Sequence, residues 1–270
     1  MNPKHLLESL GVRARKSLSQ NFLTSPHWVE KLTDAILEGT YDEVWEIGPG
    51  LGALTERLAQ ECKKPIQAFE FDKTFAPYIQ KTYPQVNVHQ GDALKAPWSE
   101  LADGKKINLL SNLPYHLSSP LLFRFIEHKA LFPKLVLTFQ REFADRLLAE
   151  PNTSEYSGLT VLIQLNYELE FLGVIGPGAF FPKPDVDSAA IRFTPKAIDP
   201  SLTEALPKLV KAAFGHRRKQ LVKNLTGAFP NLPKDEVRAL IPENQARAET
   251  LSPAQFLSLA AALKPWICEK

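Results

Sequence analysis

Short apolar runs alternate along residues 44–193 with stretches in which apolar residues recur at helical spacing, as at Leu51, Leu54 and Leu58. The alternation of strand-like and helix-like segments predicts right-handed βαβ units and a parallel sheet that is covered on both faces. Five runs are predicted to be buried strands: Val44–Ile47, Ile66–Phe69, Val86–Val88, Ile107–Leu110 and Leu135–Phe139.

Two more apolar segments, Leu159–Phe171 and Ala189–Phe193, have no room for a full helix between them. We expect them to form an antiparallel hairpin at the edge of the sheet. The predicted fold class is therefore α/β, with a Rossmann-like sheet of seven strands.

A proline-punctuated segment, Thr194–Pro200, predicts a linker. Beyond it, apolar residues at helical spacing begin with Leu206 and Leu209, and further helical stretches follow at 234–240 and 253–263. We expect a first domain over residues 1–195, with an N-terminal arm over 1–25, and a small all-helical domain over 196–270.

The composition is that of a globular protein, since 44% of the 270 residues are hydrophobic and 23% are charged. No apolar run reaches the roughly 18 residues that a membrane span needs, and the N-terminus lacks a signal-peptide core, so a cytoplasmic protein is expected. Two distant cysteines give no metal-site spacing, and without a coiled coil we expect a monomer.

Charge is distributed unevenly along the chain. From Lys196 onward there are 12 Lys and Arg residues against 7 Asp and Glu residues. A basic appendage of this kind favours a polyanionic partner.

Glycine and polar residues follow four successive predicted strands. The glycine-rich segment Glu46–Gly52 follows the first strand, Glu70 ends the second, Asp92 follows the third and Asn112 follows the fourth. In an open parallel sheet, ligands bind at this edge. The glycines allow close approach of a ligand, Glu70 has the spacing of a ribose-binding carboxylate, and Asp92 suits the exocyclic amine of adenine. The pattern predicts a nucleotide-type cofactor.

The tetrapeptide Asn112-Leu113-Pro114-Tyr115 indicates what kind of substrate binds beside this cofactor. Pro114 favours an extended conformation for Leu113, so the carbonyls of Asn112 and Leu113 are not consumed by a helix. Such acceptors can take both hydrogens of an amino group on a flat heterocycle and leave its lone pair aimed at an electrophile. A dinucleotide dehydrogenase needs no such site, so we favour S-adenosylmethionine-dependent methyl transfer to a planar amine.

Eight blocks spread over nearly the whole chain carry a resemblance to a known family: Gln20–Leu23, Glu46–Leu54, Glu70, Gly91–Ala93, Asn112–Tyr115, Ala179–Ser188, Ala213–Lys219 and Arg247–Ser252. With these blocks the chain resembles the small-subunit (16S) ribosomal RNA adenine dimethyltransferases. The early blocks are shared with the macrolide-resistance methylases of large-subunit RNA, whereas Ala213–Lys219 and Arg247–Ser252 look like the small-subunit enzymes. One departure is Asp185, where the family usually has lysine, so a positive charge near the substrate mouth is lost.

The resemblance implies a class I methyltransferase sheet and a set of cofactor contacts. Asn21, Leu23 and Gly48 would contact S-adenosylmethionine, Glu70 its ribose and Asp92 its adenine. Asn112 would lie between the cofactor and the target. The implied target is two adjacent adenosines in a hairpin loop near the 3′ end of 16S rRNA in the small ribosomal subunit, each methylated twice at N6.

Two aromatic residues are candidates for stacking on a target base that has left its own stack, namely Tyr115 and Phe180. A core position is the alternative for each. The basic residues Arg217, Arg218, Lys219 and Lys223 are candidate RNA contacts, and a solvated surface is their alternative.

Two other functions remain open. One is an adenine methylase that acts on large-subunit RNA, against which the block Ala213–Lys219 argues. The other is a non-catalytic ribosome-assembly factor of the same fold, which would predict decay of the glycine loop or of Asn112–Tyr115. Both of these motifs are intact.

Overall fold

The chain forms two compact units in the computed structural model, which describes residues 3–14, 20–216, 218–241 and 246–268. The first unit comprises residues 1–144 and 169–195, and the second comprises 145–168 and 196–270. The change of unit at 195/196 lies where the linker was predicted. Residues 145–168, which we expected in the first domain, belong instead to the second unit.

The helices and strands are numbered here in chain order. The helices are α1 Pro3–Ser9, α2 Pro26–Leu37, α3 Ala53–Glu61, α4 Phe75–Thr82, α5 Trp98–Ala102, α6 Ser118–Glu127, α7 Arg141–Leu148, α8 Gly158–Asn166, α9 Ala205–Ala213, α10 Leu221–Ala228, α11 Lys234–Leu240 and α12 Pro253–Ile267. The strands are β1 Phe22–Leu23, β2 Glu43–Ile47, β3 Ile66–Glu70, β4 Val86–Gln90, β5 Ile107–Asn112, β6 Lys134–Gln140, β7 Tyr167–Ile175, β8 Phe180–Phe181 and β9 Ser188–Pro195.

The first unit is built on a seven-stranded sheet with the order β4-β3-β2-β5-β6-β9-β7. Strands β2 to β6 pair in parallel, and β9 runs antiparallel to β6. Because parallel strands are covered by helices on both faces, β2 is buried at all five of its positions. The predicted α/β class and its seven strands are confirmed.

The segment Leu159–Phe171, which we predicted to be a strand, is divided between α8 and β7. Ser157 begins α8 with a capping box, in which its hydroxyl accepts from the backbone N–H of Thr160 and the Thr160 side chain accepts in return. Most residues of α8 are buried, so the helix lacks the polar face that makes helical periodicity visible in a sequence. In the sheet, β7 is the edge strand and β9 is its neighbour.

The short strand β8 forms a separate two-stranded sheet with β1. Phe22 pairs with Phe181 and Leu23 with Phe180. This pairing ties the end of the N-terminal arm to the segment that precedes β9.

Between residues 196 and 268, the described part of the second unit contains helices joined by loops and no strand. Tyr156 donates its hydroxyl to the carbonyl of Leu251 at 2.9 Å, and Phe214 stacks on Phe256 with ring centroids 5.7 Å apart. None of the helices in the described part of the chain is long and apolar enough to cross a bilayer.

A buried carboxylate secures the start of β2. Glu43, only 3% exposed, accepts hydrogen bonds from Lys105 at 2.6 Å, Trp45 at 3.1 Å and Gln67 at 2.5 Å. Burial alone would raise the pKa of Glu43, but these three donors outweigh it and lower the pKa. The network joins β2 to β3 and to the segment before β5.

Glu43→Ala should therefore lower the free energy of unfolding by about 2–4 kcal/mol, because it leaves the buried donors of Trp45 and Gln67 unpaired. Denaturant unfolding measures the effect. Glu204→Ala, which breaks an exposed ion pair with Lys208, is the control and should change stability little. Equal effects of the two substitutions would contradict this interpretation.

Candidate functional site

A cavity of about 320 Å³ lies in the first unit where the carboxyl ends of β2, β3, β4 and β5 meet. Its wall contains all the residues that we expected to hold a cofactor, together with the tetrapeptide that follows β5. Those residues are Asn21, Leu23, Gly48, Glu70, Asp92, Asn112, Leu113 and Tyr115.

The glycine loop between β2 and α3 allows only glycine at its tightest points. Gly50 and Gly52 have φ angles of +55° and +87°, in the left-handed region. A Cβ atom on Gly50 would lie 3.0 Å from the ring of Phe22, and one on Gly52 would lie 2.9 Å from the ring of Tyr83. The loop backbone is thus packed closely on one side and borders the cavity on the other.

Glu70 fastens this loop to the end of β3. Its carboxylate accepts from the backbone N–H of Gly50 at 2.9 Å and from that of Asp72 at 2.7 Å. Burial raises the pKa of Glu70 while these backbone donors oppose the rise. A carboxylate that keeps further lone pairs beside an open cavity suits a pair of sugar hydroxyls.

Glu46 is a second buried carboxyl group in the cavity wall, 1% exposed, at the end of β2. It accepts a hydrogen bond from the Thr55 hydroxyl at 2.7 Å. Burial, with the nearby charge of Glu70, raises its pKa to about 8. The sequence shows Glu46 only as the first residue of the glycine-rich segment, because burial of this degree is not visible in a sequence.

The loop after β4 presents Asp92. Its carboxylate accepts from the backbone N–H of Leu94 at 2.9 Å, which orients the side chain. Phe71, directly after Glu70, lines the same cavity and is 62% exposed. Phe71 was not predicted to belong to the site, although an aromatic residue just beyond a buried strand is a recognisable signal. Its ring suits a flat heterocycle.

The tetrapeptide begins at the last residue of β5; Leu113 lies outside any helix, as predicted, and Pro114 has φ −57° and ψ 123°. The Asn112 amide donates to the carbonyl of Asn21 at 3.0 Å and accepts from the Thr138 hydroxyl at 2.6 Å. Tyr115 is half-buried, and its hydroxyl lies 2.7 Å from that of Ser188. Burial raises the pKa of Tyr115, and the hydrogen bond with Ser188 opposes the rise.

Phe180 does not lie at the cavity, contrary to its expected stacking role. It is 5% exposed and belongs to the hydrophobic core that includes Leu23, Ile175 and Ala190. The reason is the pairing of Phe180 with Leu23, which draws β8 into the core. Of the two positions considered for Phe180, stacking or core, the structure places it in the core.

The expected RNA contacts lie in the second unit, around the turn between α9 and α10. Arg218, Lys219 and Lys223 are exposed, and Arg217 lies outside the described residues. The Asn224 amide, 6% exposed, donates to the carbonyls of Ala213 at 2.7 Å and His216 at 3.0 Å. These two hydrogen bonds hold the backbone at the end of α9 and at His216, next to the basic residues.

Comparison with known proteins agrees with this geometry. The family model described as "Ribosomal RNA adenine dimethylase" matches residues 11–264. The "Ribosomal RNA small subunit methyltransferase A" of Chlorobium chlorochromatii is 40% identical over 257 residues, which cover 94% of this chain and 95% of the relative. The protein of the same name from Geobacter metallireducens is 36% identical, with 94% and 96% covered.

The chain belongs to the ribosomal RNA adenine dimethylase family. Among solved structures, a dimethyladenosine transferase from Plasmodium falciparum superposes with a TM-score of 0.74 at 26% identity, covering 90% of this chain and 98% of that one. The dimethylase is an S-adenosylmethionine-dependent enzyme that acts on ribosomal RNA.

The residues of the cavity fit the cofactor of the dimethylase. The volume lies within the range of small-molecule sites. Glu70 and Asp92 offer acceptors for a ribose and an adenine amine, and the glycine loop lets the ligand approach the backbone. Among the described residues, no group of three or more His, Cys, Asp or Glu side chains could hold a metal ion.

The raised pKa of Glu46 predicts how stability depends on pH. The unfolded chain ionises Glu46 near the ordinary value of 4.5, whereas the folded dimethylase holds its proton up to about pH 8. Between these values the folded state binds more protons, so Glu46 lowers the free energy of unfolding as the pH rises.

Glu46→Gln should remove this contribution. Relative to the wild-type dimethylase, the free energy of unfolding of the variant should therefore rise from about pH 5 to about pH 8. Denaturant unfolding at both pH values measures the difference. A difference that stays constant with pH would show that Glu46 does not hold a proton in the folded state.

Proposed function

We propose that this dimethylase transfers methyl groups to N6 of two adjacent adenosines in a hairpin loop near the 3′ end of 16S rRNA, within the small ribosomal subunit. Each adenosine receives two methyl groups. One observation carries the proposal: Asn112–Tyr115 line the same cavity as Glu70 and Asp92, the candidates for binding the nucleoside part of the cofactor. Relatives named for the small ribosomal subunit support this choice of RNA.

The cofactor contacts are proposed residue by residue. Asn21, Leu23 and Gly48 border the bound molecule, Glu70 holds its ribose hydroxyls and Asp92 holds its adenine. S-adenosylmethionine supplies an electrophilic methyl group on a positively charged sulfur atom. The chain's own residues then have to bring the target amine to that methyl group in the correct orientation.

The amine of adenine is a poor nucleophile because its lone pair is delocalised into the ring. In our proposal the amine donates two hydrogen bonds, one to the side-chain oxygen of Asn112 and one to the carbonyl oxygen of Leu113. This favours a pyramidal nitrogen whose lone pair points at the methyl group, and alignment with electrostatics can supply several kcal/mol of the barrier. After transfer, the same oxygens stabilise the cationic nitrogen until its proton leaves to water.

Tyr115 is proposed to support the target base by stacking. A base must leave its helix to enter such a site, and stacking on an aromatic ring contributes about 1–3 kcal/mol. The hydrogen bond between Tyr115 and Ser188 holds the ring in place. Phe180, the other candidate for stacking, is buried in the core and is not part of this proposal.

Basic residues of the second unit are proposed to bind RNA phosphates. Arg218, Lys219 and Lys223 are exposed near one turn, and Arg217 is adjacent in sequence. Phosphate contacts of this kind position an RNA without reading its sequence. We further propose that the dimethylase acts in the cytoplasm as a monomer.

The reaction is tested with labelled S-adenosylmethionine and small ribosomal subunits that lack these methyl groups, followed by digestion and identification of the nucleosides. The expected result is N6,N6-dimethyladenosine with the wild type and none with Asn112→Ala. Transfer to free large-subunit RNA alone would favour the sister methylase. Intact cofactor binding without transfer to either RNA would favour the assembly factor.

Tyr115→Ala should reduce methylation by about 5- to 160-fold, because it removes a stacking contribution of about 1–3 kcal/mol, while cofactor affinity stays within about twofold. Tyr115→Phe keeps the ring and loses only the contact with Ser188, so it is the matched control and should retain most activity. Methylation rates and calorimetric cofactor titration measure the two effects. Equal loss of activity and cofactor affinity in Tyr115→Ala would contradict the stacking role.

Replacing Arg218, Lys219 and Lys223 together by glutamine should reduce the salt dependence of RNA binding. Each lost phosphate contact lowers the steepness of the slope of log affinity against log salt by about 0.7–0.9, so the loss of three contacts should lower it by about 2–3. Filter binding across a range of salt concentrations measures it. Replacing Lys63, Lys64 and Lys81, which are exposed in the first unit, removes the same number of charges and is the matched control. An unchanged slope in the triple variant would exclude these residues as phosphate contacts.

A further inference from the structure

Two polar side chains meet where β5 and β6 pair in parallel. Asn112, the last residue of β5, is the register partner of Thr138 in β6. Partner residues of adjacent strands point to the same face of the sheet, so the two side chains lie next to each other. The Thr138 hydroxyl donates to Oδ1 of Asn112 at 2.6 Å, and Thr138 is fully buried.

The other end of the Asn112 amide is also fixed. Its Nδ2 donates to the carbonyl oxygen of Asn21 at 3.0 Å. An asparagine amide has nearly the same shape when flipped, so hydrogen-bond partners decide its orientation. A flipped amide would place Oδ1 against the Asn21 carbonyl, where two acceptors would repel each other. The two partners together leave one orientation.

This orientation matters because a target amine needs an acceptor. Oδ1 carries two lone pairs, one of which takes the hydrogen bond from Thr138, so the other is left for the amine. A β-branched threonine in a strand has a stiff χ1 angle and therefore presents its hydroxyl in one direction.

We propose that Thr138 is a positioning residue for methyl transfer, which holds the amide of Asn112 with its oxygen available to the target amine. The inference rests on the proposed function, since it assumes that Asn112 accepts a hydrogen bond from that amine. Thr138 does not touch the substrate. Its position inside the apolar run Leu135–Phe139 hides this role in the sequence, where it resembles a core residue.

Thr138→Val tests the role, because valine keeps the shape and removes only the hydroxyl. We expect kcat to fall about 10-fold, as for one lost hydrogen bond of roughly 1.4 kcal/mol, while the Kd for S-adenosylmethionine stays within about twofold. Thr138→Ser retains a donor and should recover most of the lost kcat. Thr138→Ala removes the same hydroxyl without the branched side chain and serves as the second variant.

A readout independent of activity is the side-chain amide resonance of Asn112. It should shift in Thr138→Val and remain close to its original position in Thr138→Ser.

The outcomes separate this inference from the function on which it rests. If Asn112→Ala is inactive but both hydroxyl-free variants keep the wild-type kcat, the positioning role is wrong and the proposed function stands. If Asn112→Ala keeps full activity, the proposed role of Asn112 itself fails. Parallel loss of kcat, cofactor affinity and thermal stability without rescue by serine would show a structural role and overturn the inference.

Discussion

The site depends on one constraint, the parallel pairing of the four strands β2, β3, β4 and β5. Strands that run in one direction end at one edge, so the residues that follow them meet there although they are far apart in sequence. The glycine loop, Glu70, Asp92 and Asn112 therefore share one cavity. The same pairing, continued into β6, brings Thr138 beside Asn112 through register.

The polar groups at this edge are costly to bury, and their partners show how the cost is met. The desolvation of Glu70 is opposed by hydrogen bonds from two backbone N–H groups. Glu46 has one hydrogen bond, from the hydroxyl of Thr55, and its pKa is raised to about 8. The hydrophobic core under the sheet has to supply the stability that these groups remove. Such local conflict between stability and chemistry is expected at a functional site.

The strand ends could be predicted because hydrophobic runs and the residues that terminate them are local features of the sequence. The helix α8 was missed because it is buried on nearly all sides and lacks helical periodicity. The position of Phe180 depends on pairing with Leu23, a contact between segments far apart in sequence. The role inferred for Thr138 depends on the register between β5 and β6. The hydrophobic pattern alone predicts only a core position for this residue.

The central claim is that one cavity brings cofactor and target amine to the same point. A crystal structure with S-adenosylhomocysteine tests it most directly. Our account predicts the ribose hydroxyls at hydrogen-bond distance from Glu70, the adenine amine beside Asp92 and the sulfur facing Asn112. Binding elsewhere, or a sulfur atom that faces away from Asn112, would contradict the account.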